Sequence, residues 1–220
     1  MNEWIRAINL DFVNAYLIKM HDGFVLIDTG MIFHAQRLEE ELTGRGCVPG
    51  KLKLVVITHG DIDHIGNCAM LQEKFKAPVA MHEADAFMGK KVTFLNRKSR
   101  NLRAAIHIFL ARLRRRKMPF AEFKPDILLK DGQDLKKYGL DARVLHLPGH
   151  TKGSIGVLTE EGDLFCGDTF VNQKDPDIAV YVDNFPQLEN SIRTLKKLNV
   201  KKVYPGHGKT FLFSDLNHKI

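Results

Sequence analysis

Short apolar runs rich in β-branched and aromatic residues alternate with segments of helical periodicity along most of the chain. Residues 12–19 and 24–27 are two such runs, and the turn-forming pair Asp22-Gly23 between them predicts a β-hairpin. Residues 52–58 form a continuous apolar run, which is typical of a strand buried on both faces of a sheet. The pattern predicts further strands at residues 79–81, 127–129, 142–147, 154–158, 163–166 and 202–204, and helices at residues 34–43, 65–75 and 186–198.

From about residue 84 to residue 120 the pattern changes to helical periodicity without strand-like runs. Two halves that each contain strands followed by helices, on either side of one helical interruption, predict a layered α/β sandwich with the helices outside. A chain of 220 residues is long enough for one good core. We therefore expect a single domain, residues 1–220, with a basic helical insertion at about residues 84–124. The apolar stripe of that insertion comprises Leu102, Ile106, Phe109 or Leu110, and Leu113.

The formal net charge of +7 comes from one segment of the chain. Residues 86–121 contain 11 Lys and Arg and no Asp or Glu, whereas the remaining residues contain 22 basic and 26 acidic side chains, a net charge of −4. A solvated helical face usually mixes both signs of charge. The segment therefore fits a lid that attracts an anionic substrate, which we favour, a surface for acidic lipid, a nucleic-acid contact, or a plain solvated face.

The composition also bears on the compartment. No apolar run approaches the length of a transmembrane helix. Early charges at Glu3 and Arg6 disfavour a secretion signal. The three cysteines are too few and too scattered for a disulfide framework or a zinc knuckle. We therefore expect a cytoplasmic protein in a reducing setting.

Residues able to bind metal stand where predicted strands end. The run Thr58-His59-Gly60-Asp61-Ile62-Asp63-His64 follows residues 52–58 and contains two imidazoles and two carboxylates. Asp61 and Asp63 would repel each other, and a divalent cation would remove that repulsion. Glycine-containing turns after later strands, where the backbone can bend sharply, carry further candidates. Those candidates are His150, Asp168 and His207, which makes seven potential ligands at four strand ends.

This set of motifs resembles that of the metallo-β-lactamase superfamily, whose pattern reads His-x-His-x-Asp-His, then a His, an Asp and a final His. The resemblance extends from Leu26-Ile27-Asp28-Thr29-Gly30 to Pro205-Gly206-His207-Gly208, nearly the whole chain. It implies a four-layer αββα sandwich of the α/β class. It also implies that Asp28 supports the site from behind the ligands. The implied ligands are His59, Asp61 and His150 for a first metal, Asp63, His64 and His207 for a second, and Asp168 as a bridge.

Asp61 departs from the superfamily pattern, because most members have histidine at this position. Aspartate is still a good ligand, but it adds a negative charge and a hard oxygen. We therefore expect two divalent metal ions, with zinc as the metal and iron or manganese as alternatives. A carboxylate at this position also resembles the diiron branch of the superfamily, which reduces oxygen and carries a flavin domain that this sequence does not supply. The other interpretation is that Asp61 faces solvent and only one metal is bound.

These ligands predict a dinuclear metal-dependent hydrolase in which a metal-bound hydroxide attacks a small ester, thioester, lactone or phosphodiester. Asp63 is the expected catalytic residue for proton transfer near the leaving group. Superfamily members with such activities include glyoxalase-II-type thioesterases, acyl-homoserine lactonases, β-lactamases and RNA-processing nucleases. We expect a small-molecule substrate, with an anionic one favoured by the basic segment. Two other interpretations stay open: a diiron redox protein, motivated by Asp61, and a nuclease or nucleic-acid binder, motivated by residues 86–121, although nucleic acid is the less expected partner.

Overall fold

Two β-sheets stacked face to face, with helices on their outer sides, form the fold. The structure is a computed structural model, and it describes residues 4–89, 98–99, 106, 119–216 and 219. Within the described residues the α-helices are α1 (Ala35–Thr43), α2 (Ile62–Ile65), α3 (Cys68–Phe75) and α4 (Phe185–Leu195), and 3-10 helices span Ile32–His34, Glu83–Gly89, Lys136–Tyr138 and Phe213–Leu216. The strands are β1 (Ile5–Leu10), β2 (Val13–Met20), β3 (Gly23–Ile27), β4 (Leu52–Val56), β5 (Val79–His82), β6 (Lys98–Ser99), β7 (Ile127–Leu129), β8 (Ala142–His146), β9 (Ile155–Thr159), β10 (Asp163–Gly167), β11 (Phe170–Val171), β12 (Asp177–Ile178), β13 (Tyr181–Val182), β14 (Lys202–Pro205) and β15 (Phe211–Leu212).

The two large sheets differ in how their strands run. The first sheet has the order β1-β2-β3-β4-β5-β7, and its strands are antiparallel from β1 to β3 and parallel from β3 to β7. The second has the order β15-β14-β10-β9-β8, with β10 and β14 parallel and the other neighbours antiparallel. Parallel strands carry their following loops to the same edge of a sheet. Loops from both sheets therefore meet at one edge of the sandwich.

Three apolar clusters hold the layers together. Along β3, Val25 and Ile27 point into the space between the sheets, while Leu26 points outward to α1 and α3, because alternate residues of a strand face opposite sides. Residues of the second sheet, among them Phe165, complete the inner cluster. Leu188 and its neighbours in α4 cover the outer face of the second sheet. The resulting order of layers is helix, sheet, sheet, helix, so the αββα sandwich is confirmed.

The structure corrects two predicted elements. The prediction that residues 84–120 contain no strand was wrong, because Lys98–Ser99 forms a strand that pairs with Tyr181–Val182. A two-residue strand held by a distant partner leaves no periodicity in the sequence. The single helix at residues 65–75 is instead α2 followed by α3, since the Asn67 side chain donates hydrogen bonds to the backbone carbonyls of Thr29 and Met31 and interrupts the helix between them.

Other predictions can be compared directly with the described residues. The hairpin at Asp22-Gly23 is present as β2 and β3. In the predicted apolar stripe, Ile106 is half-exposed, and the other positions of the stripe lie outside the described residues. Near the two ends of the predicted insertion, the Phe123 backbone N–H donates a hydrogen bond to the Gly89 carbonyl. In the part of the chain that the structure describes, no helix has both the length and the apolar character that a membrane span requires.

Candidate metal centre

The loop after β4 carries four of the candidate ligands. His59 lies three residues after the last residue of the strand, Val56, and is buried, and Asp61 precedes the first residue of α2. The short helix α2 then turns Asp63 and His64 toward the same edge of the sandwich. His64 is fully buried, whereas the carboxylates of Asp61 and Asp63 remain partly exposed to a surface cavity.

The other three candidate ligands, His150, Asp168 and His207, follow strands β8, β10 and β14 of the second sheet. The glycines beside them act in different ways. Gly167 has a left-handed φ of +50°, which glycine adopts without strain. Gly206 is needed for space instead, because a Cβ there would overlap Asp168 Oδ1 and His64 Cε1. The backbone of this loop therefore packs directly against the candidate ligands.

The seven side chains form two groups, and within each group one ligand atom per residue lies within 4.8 Å of the others. In the first ligand group, Asp61 Oδ2 lies 3.4 Å from His59 Nε2 and 3.2 Å from His150 Nε2, so this carboxylate points into the group. In the second ligand group, Asp63 Oδ2 lies 3.3 Å from His207 Nε2 and 3.9 Å from His64 Nε2. The first group comprises His59, Asp61, His150 and Asp168, and the second comprises Asp63, His64 and His207.

Asp168 lies between the two ligand groups. Its Oδ2 is 3.6 Å from His150 Nε2 in the first group and 3.2 Å from His207 Nε2 in the second. Its Oδ1 is 3.5 Å from His64 Nε2. One carboxylate therefore faces ligand atoms of both groups.

Each imidazole is oriented by a contact at its Nδ1 atom. His150 Nδ1 lies 2.7 Å from the Tyr181 carbonyl, and His207 Nδ1 lies 2.6 Å from the Phe12 carbonyl. A carbonyl can only accept, so Nδ1 carries the proton and Nε2 of the neutral ring presents a lone pair. Nε2 is the atom that faces the carboxylates in every case. His64 Nδ1 meets Asp28 at 2.8 Å, and His59 Nδ1 meets Thr58 Oγ1 at 3.1 Å.

Asp28 lies behind the centre, where it contacts the second ligand group directly and the first through Thr58. It is buried after β3, and its Oδ2 accepts hydrogen bonds from His64 Nδ1 and from Thr58 Oγ1, each at 2.8 Å. Its Oδ1 accepts the Thr58 backbone N–H at 2.8 Å. Because Thr58 Oγ1 also contacts His59 Nδ1, one carboxylate is linked to an imidazole of each group. This arrangement is the supporting position that the sequence motif implies for Asp28.

The candidate ligand atoms of the site, imidazole nitrogens and carboxylate oxygens, fit divalent cations. His59 Nε2, His64 Nε2 and Asp168 Oδ1 are buried, and none has a hydrogen-bond partner among the described residues. Buried polar atoms usually have partners, so three such atoms in one cluster require an explanation. Two ligands of one tetrahedral zinc ion, with bonds of about 2.0–2.1 Å, stand roughly 3.3 Å apart. Four of the separations between imidazole nitrogens and carboxylate oxygens, at 3.2–3.4 Å, lie near that value.

The electrostatics of the centre also favour positive charge. Burial lowers the pKa of His64, but the carboxylates of Asp28 and Asp168 outweigh burial and raise this pKa to about 9. Burial likewise lowers the pKa of His207, and Asp168 and Asp63 raise it to about 12. Burial raises the pKa of Asp168, yet His207 and His64 hold it well below its usual range. In the metal-free chain, protons therefore occupy positions where cations would be favoured.

Two contributors to the centre could not be found from residue types. Phe12 and Tyr181 orient imidazoles through backbone carbonyls, which every residue possesses. Their side chains also line the cavity above the centre, together with Val171, Ala179 and Val180. Asp85 is a third residue that sequence reasoning missed, although it is a carboxylate that closely follows a parallel strand, β5.

Comparison with known proteins places this architecture in a family. The family model of the metallo-beta-lactamase superfamily matches residues 8–207. A probable metallo-hydrolase of Methanocaldococcus jannaschii, MJ0888, is 30% identical over 201 residues, which is 89% of this chain and 87% of that protein. Acyl-coenzyme A thioesterase MBLAC2 of Bos taurus is 27% identical over 215 residues, 90% of this chain and 74% of that protein.

A solved structure shows the same fold. The di-iron-bound form of TTHA1623 superimposes with a TM-score of 0.73 at 24% identity, covering 98% of this chain and 97% of that one. The match to the family model includes all seven candidate ligands, and the stacked sheets bring these residues to a single edge. By its sequence match and its fold, this chain belongs to the metallo-beta-lactamase superfamily.

Proposed function

We propose that this chain is a dinuclear metal-dependent hydrolase that cleaves thioesters whose leaving group is an anionic thiol. The orientation of the four imidazoles carries the proposal, since each Nδ1 is engaged outside the two ligand groups and each Nε2 lies within 4.0 Å of two of the three carboxylates. Two cations held by these side chains would supply a water of lowered pKa and positive charge next to the substrate oxygen on which negative charge develops. This function fits the superfamily relatives, one of which is named a probable metallo-hydrolase and another an acyl-coenzyme A thioesterase.

The residues that hold the metals follow from the two ligand groups. We assign the first cation to His59, Asp61 and His150 and the second to Asp63, His64 and His207, with Asp168 shared. Imidazole and carboxylate together suit Zn²⁺, which we propose as the metal in both positions. The carboxylate of Asp61 also suits the harder ions iron and manganese, and a di-iron form is known for the structural neighbour TTHA1623.

Asp63 is the proposed catalytic residue for proton movement, and its charge state favours one class of leaving group. Burial raises the pKa of Asp63, but the imidazoles of His64 and His207 hold it below its usual range, so the carboxyl is ionised at neutral pH. An ionised carboxylate accepts a proton and is a weak general acid. A thiol, with a pKa of about 8.5, leaves as the thiolate with little help from an acid. Alkoxide leaving groups require more protonation, so thioesters are the favoured substrates.

The cavity above the centre suits an acyl group. It encloses about 270 Å³, and Phe12, Val171, Ala179 and Val180 form its apolar wall. Apolar walls with a few polar groups at the reacting centre are typical of small-molecule sites. The wall continues into Tyr181–Val182, which pairs with Lys98–Ser99 of the basic segment at residues 86–121. An anionic thiol would therefore lie near Lys98 while the acyl group occupies the cavity.

A hydrolysis screen with metal content measured on the same sample tests the proposal. One fatty acyl group would be presented as a thioester of a phosphorylated thiol, as a thioester of a small neutral thiol and as an oxygen ester. A lactone and a phosphodiester would complete the set. We expect metal-dependent release of thiol, fastest from the phosphorylated thioester and lost in Asp168→Ala. Hydrolysis of the phosphodiester alone, or no thioester hydrolysis by protein carrying two metal equivalents, would contradict the thioesterase proposal.

The same sample separates the two other interpretations. A diiron redox protein would contain iron, consume oxygen and leave every ester intact. A nuclease would bind RNA or DNA with strongly salt-dependent affinity through residues 86–121. Neither is favoured by the relatives, whose names describe hydrolysis and thioester cleavage.

A further inference from the structure

Asp85 is a buried carboxylate outside the two ligand groups. It lies in the turn Glu83–Gly89, directly after β5, and its side chain is inaccessible to solvent. A carboxylate in such a position is costly unless hydrogen bonds satisfy its oxygens. The identity of its donors therefore shows what the residue holds in place.

All three donors belong to the loops that carry the first ligand group. Asp85 Oδ2 accepts the Gly60 backbone N–H at 2.9 Å and the Thr151 hydroxyl at 2.7 Å. Asp85 Oδ1 accepts the Gly153 backbone N–H at 2.9 Å. Gly60 stands between His59 and Asp61, and Thr151 follows His150. One carboxylate thus joins the loop after β4 to the loop after β8, which come from different sheets.

The close packing around Asp85 leaves little freedom in these loops. A Cβ on Gly153 would overlap the Asp85 carboxyl group, so only glycine allows this approach. On the other side, Met88 from the same turn packs so closely on Gly60 that a Cβ there would overlap its sulfur. Shifts of the Glu83–Gly89 turn would therefore be transmitted to His59 and Asp61.

The second ligand group is oriented by different residues. His64 is held by Asp28, and His207 is held by the Phe12 carbonyl, so neither imidazole depends on Asp85. We propose that Asp85 is the positioning residue of the first metal site, fixing the spacing between the loops of His59 and His150. This inference rests on the proposed dinuclear function.

Single-site backgrounds isolate the effect of Asp85. His207→Ala leaves the first ligand group intact, and His59→Ala leaves the second. Asp85→Asn would be added to each background and to the otherwise unchanged chain, and Zn²⁺ affinity would be measured by competition with a chromophoric chelator. Asp126→Asn is the control for the loss of a carboxylate that accepts a backbone N–H elsewhere, because the exposed Asp126 accepts the Val79 backbone N–H at 2.8 Å and the Gln72 amide at 2.7 Å rather than a residue of the ligand loops.

We expect Asp85→Asn to weaken Zn²⁺ binding roughly 10- to 100-fold in the His207→Ala background and less than about threefold in the His59→Ala background. In the otherwise unchanged chain, bound Zn²⁺ should fall from about two equivalents to about one at limiting free Zn²⁺. Asp126→Asn should leave all affinities unchanged. A general structural role would weaken both sites alike and would not produce this difference.

Unchanged affinity in the His207→Ala background, or equal weakening in both backgrounds, would overturn the assignment. If Asp85→Asn does not fold, Thr151→Val replaces it, because valine keeps the shape and removes one of the three donors. We then expect a severalfold loss of Zn²⁺ affinity confined to the first site. An equal loss of affinity in both single-site backgrounds, or no loss in either, would overturn the assignment. A wild-type chain that binds no Zn²⁺, Fe²⁺ or Mn²⁺ would instead refute the proposed dinuclear function.

Discussion

Asp28→Asn tests how one buried carboxylate supports both ligand groups. The substitution keeps the side-chain shape, and asparagine tolerates the left-handed φ of +59° found at this position. The amide oxygen can still accept the Thr58 backbone N–H. Its NH₂ group, however, replaces the oxygen that accepts from His64 Nδ1 and Thr58 Oγ1. The asparagine NH₂ group would then face the His64 Nδ1–H and the Thr58 hydroxyl, which are themselves donors.

The magnitude follows from the bond that His64 loses. A hydrogen bond to a charged group contributes about 1.5–3 kcal/mol. Without this acceptor, His64 favours the tautomer with its proton on Nε2, the atom that faces Asp63 and Asp168. A metal must displace that proton and forgo the support of Asp28. At about 1.4 kcal/mol per tenfold change, Zn²⁺ affinity at the second group should fall roughly 10- to 150-fold.

Competition titration of the metal-free proteins with Zn²⁺ measures both dissociation constants, with urea unfolding as a check that each variant folds. Thr58→Val is the matched comparison, because it removes the hydroxyl that contacts His59 Nδ1 and leaves the contact between Asp28 and His64 intact. It should weaken the first site alone, whereas Asp28→Asn should weaken both. Wild-type affinity at both sites in Asp28→Asn would refute the reasoning.

Three further predictions concern the ligands themselves. Asp168→Ala should abolish hydrolysis and bind less than about one metal equivalent by elemental analysis, because Asp168 faces both ligand groups. His59→Ala should retain about one equivalent. Wild-type turnover in Asp168→Ala would exclude the shared role of Asp168. Zn²⁺ uptake at pH 7 should release protons, since metal-free His64 is protonated below about pH 9, and this release should diminish above that pH in calorimetry. Asp61→His should increase the preference for zinc over manganese and shift the pH–rate profile to lower pH. Asp61→Asn is the control, because it removes the charge and keeps the shape. If Asp61→His changed neither the metal preference nor the pH–rate profile, Asp61 would not be a ligand.

The strand ends that carry the candidate ligands could be predicted from the sequence. The apolar run at residues 52–58 has a strong signal because β4 is buried on both faces. The edge strand Ile5–Leu10 was not predicted, since Arg6 and Asn9 interrupt its apolar residues. Strands of two residues, such as Phe170–Val171, are too short to show any period.

The support of the candidate site was less accessible to sequence reasoning. His150 and His207 are oriented by carbonyls of Tyr181 and Phe12, and a backbone atom leaves no mark on residue type. Asp85 has no neighbouring glycine. The run His82-Glu83-Ala84-Asp85 around it does not belong to the motif set of the superfamily described above. Its importance depends on burial against Thr151, which lies 66 positions away in the chain. Such contacts arise from the stacking of the two sheets rather than from any local pattern.

The charge of the candidate centre connects Asp61 with the basic segment at residues 86–121. In the proposed dinuclear centre, Asp61, Asp63 and Asp168 would bring three negative charges to two divalent cations, which would leave one net positive charge, where a histidine at position 61 would leave two. A unit charge contributes roughly 4 kcal/mol at 4 Å for an effective dielectric constant near 20, so this centre attracts anions less strongly than its histidine counterpart. If the chain has the proposed thioesterase function, selection of an anionic thiol would then depend on this segment, which carries 11 Lys and Arg and whose strand Lys98–Ser99 pairs with Tyr181–Val182 beside the cavity. Added salt should therefore raise KM for the phosphorylated thioester more than for the neutral one, because exposed charges are screened. Equal salt dependence of the two KM values would exclude the basic segment from substrate binding.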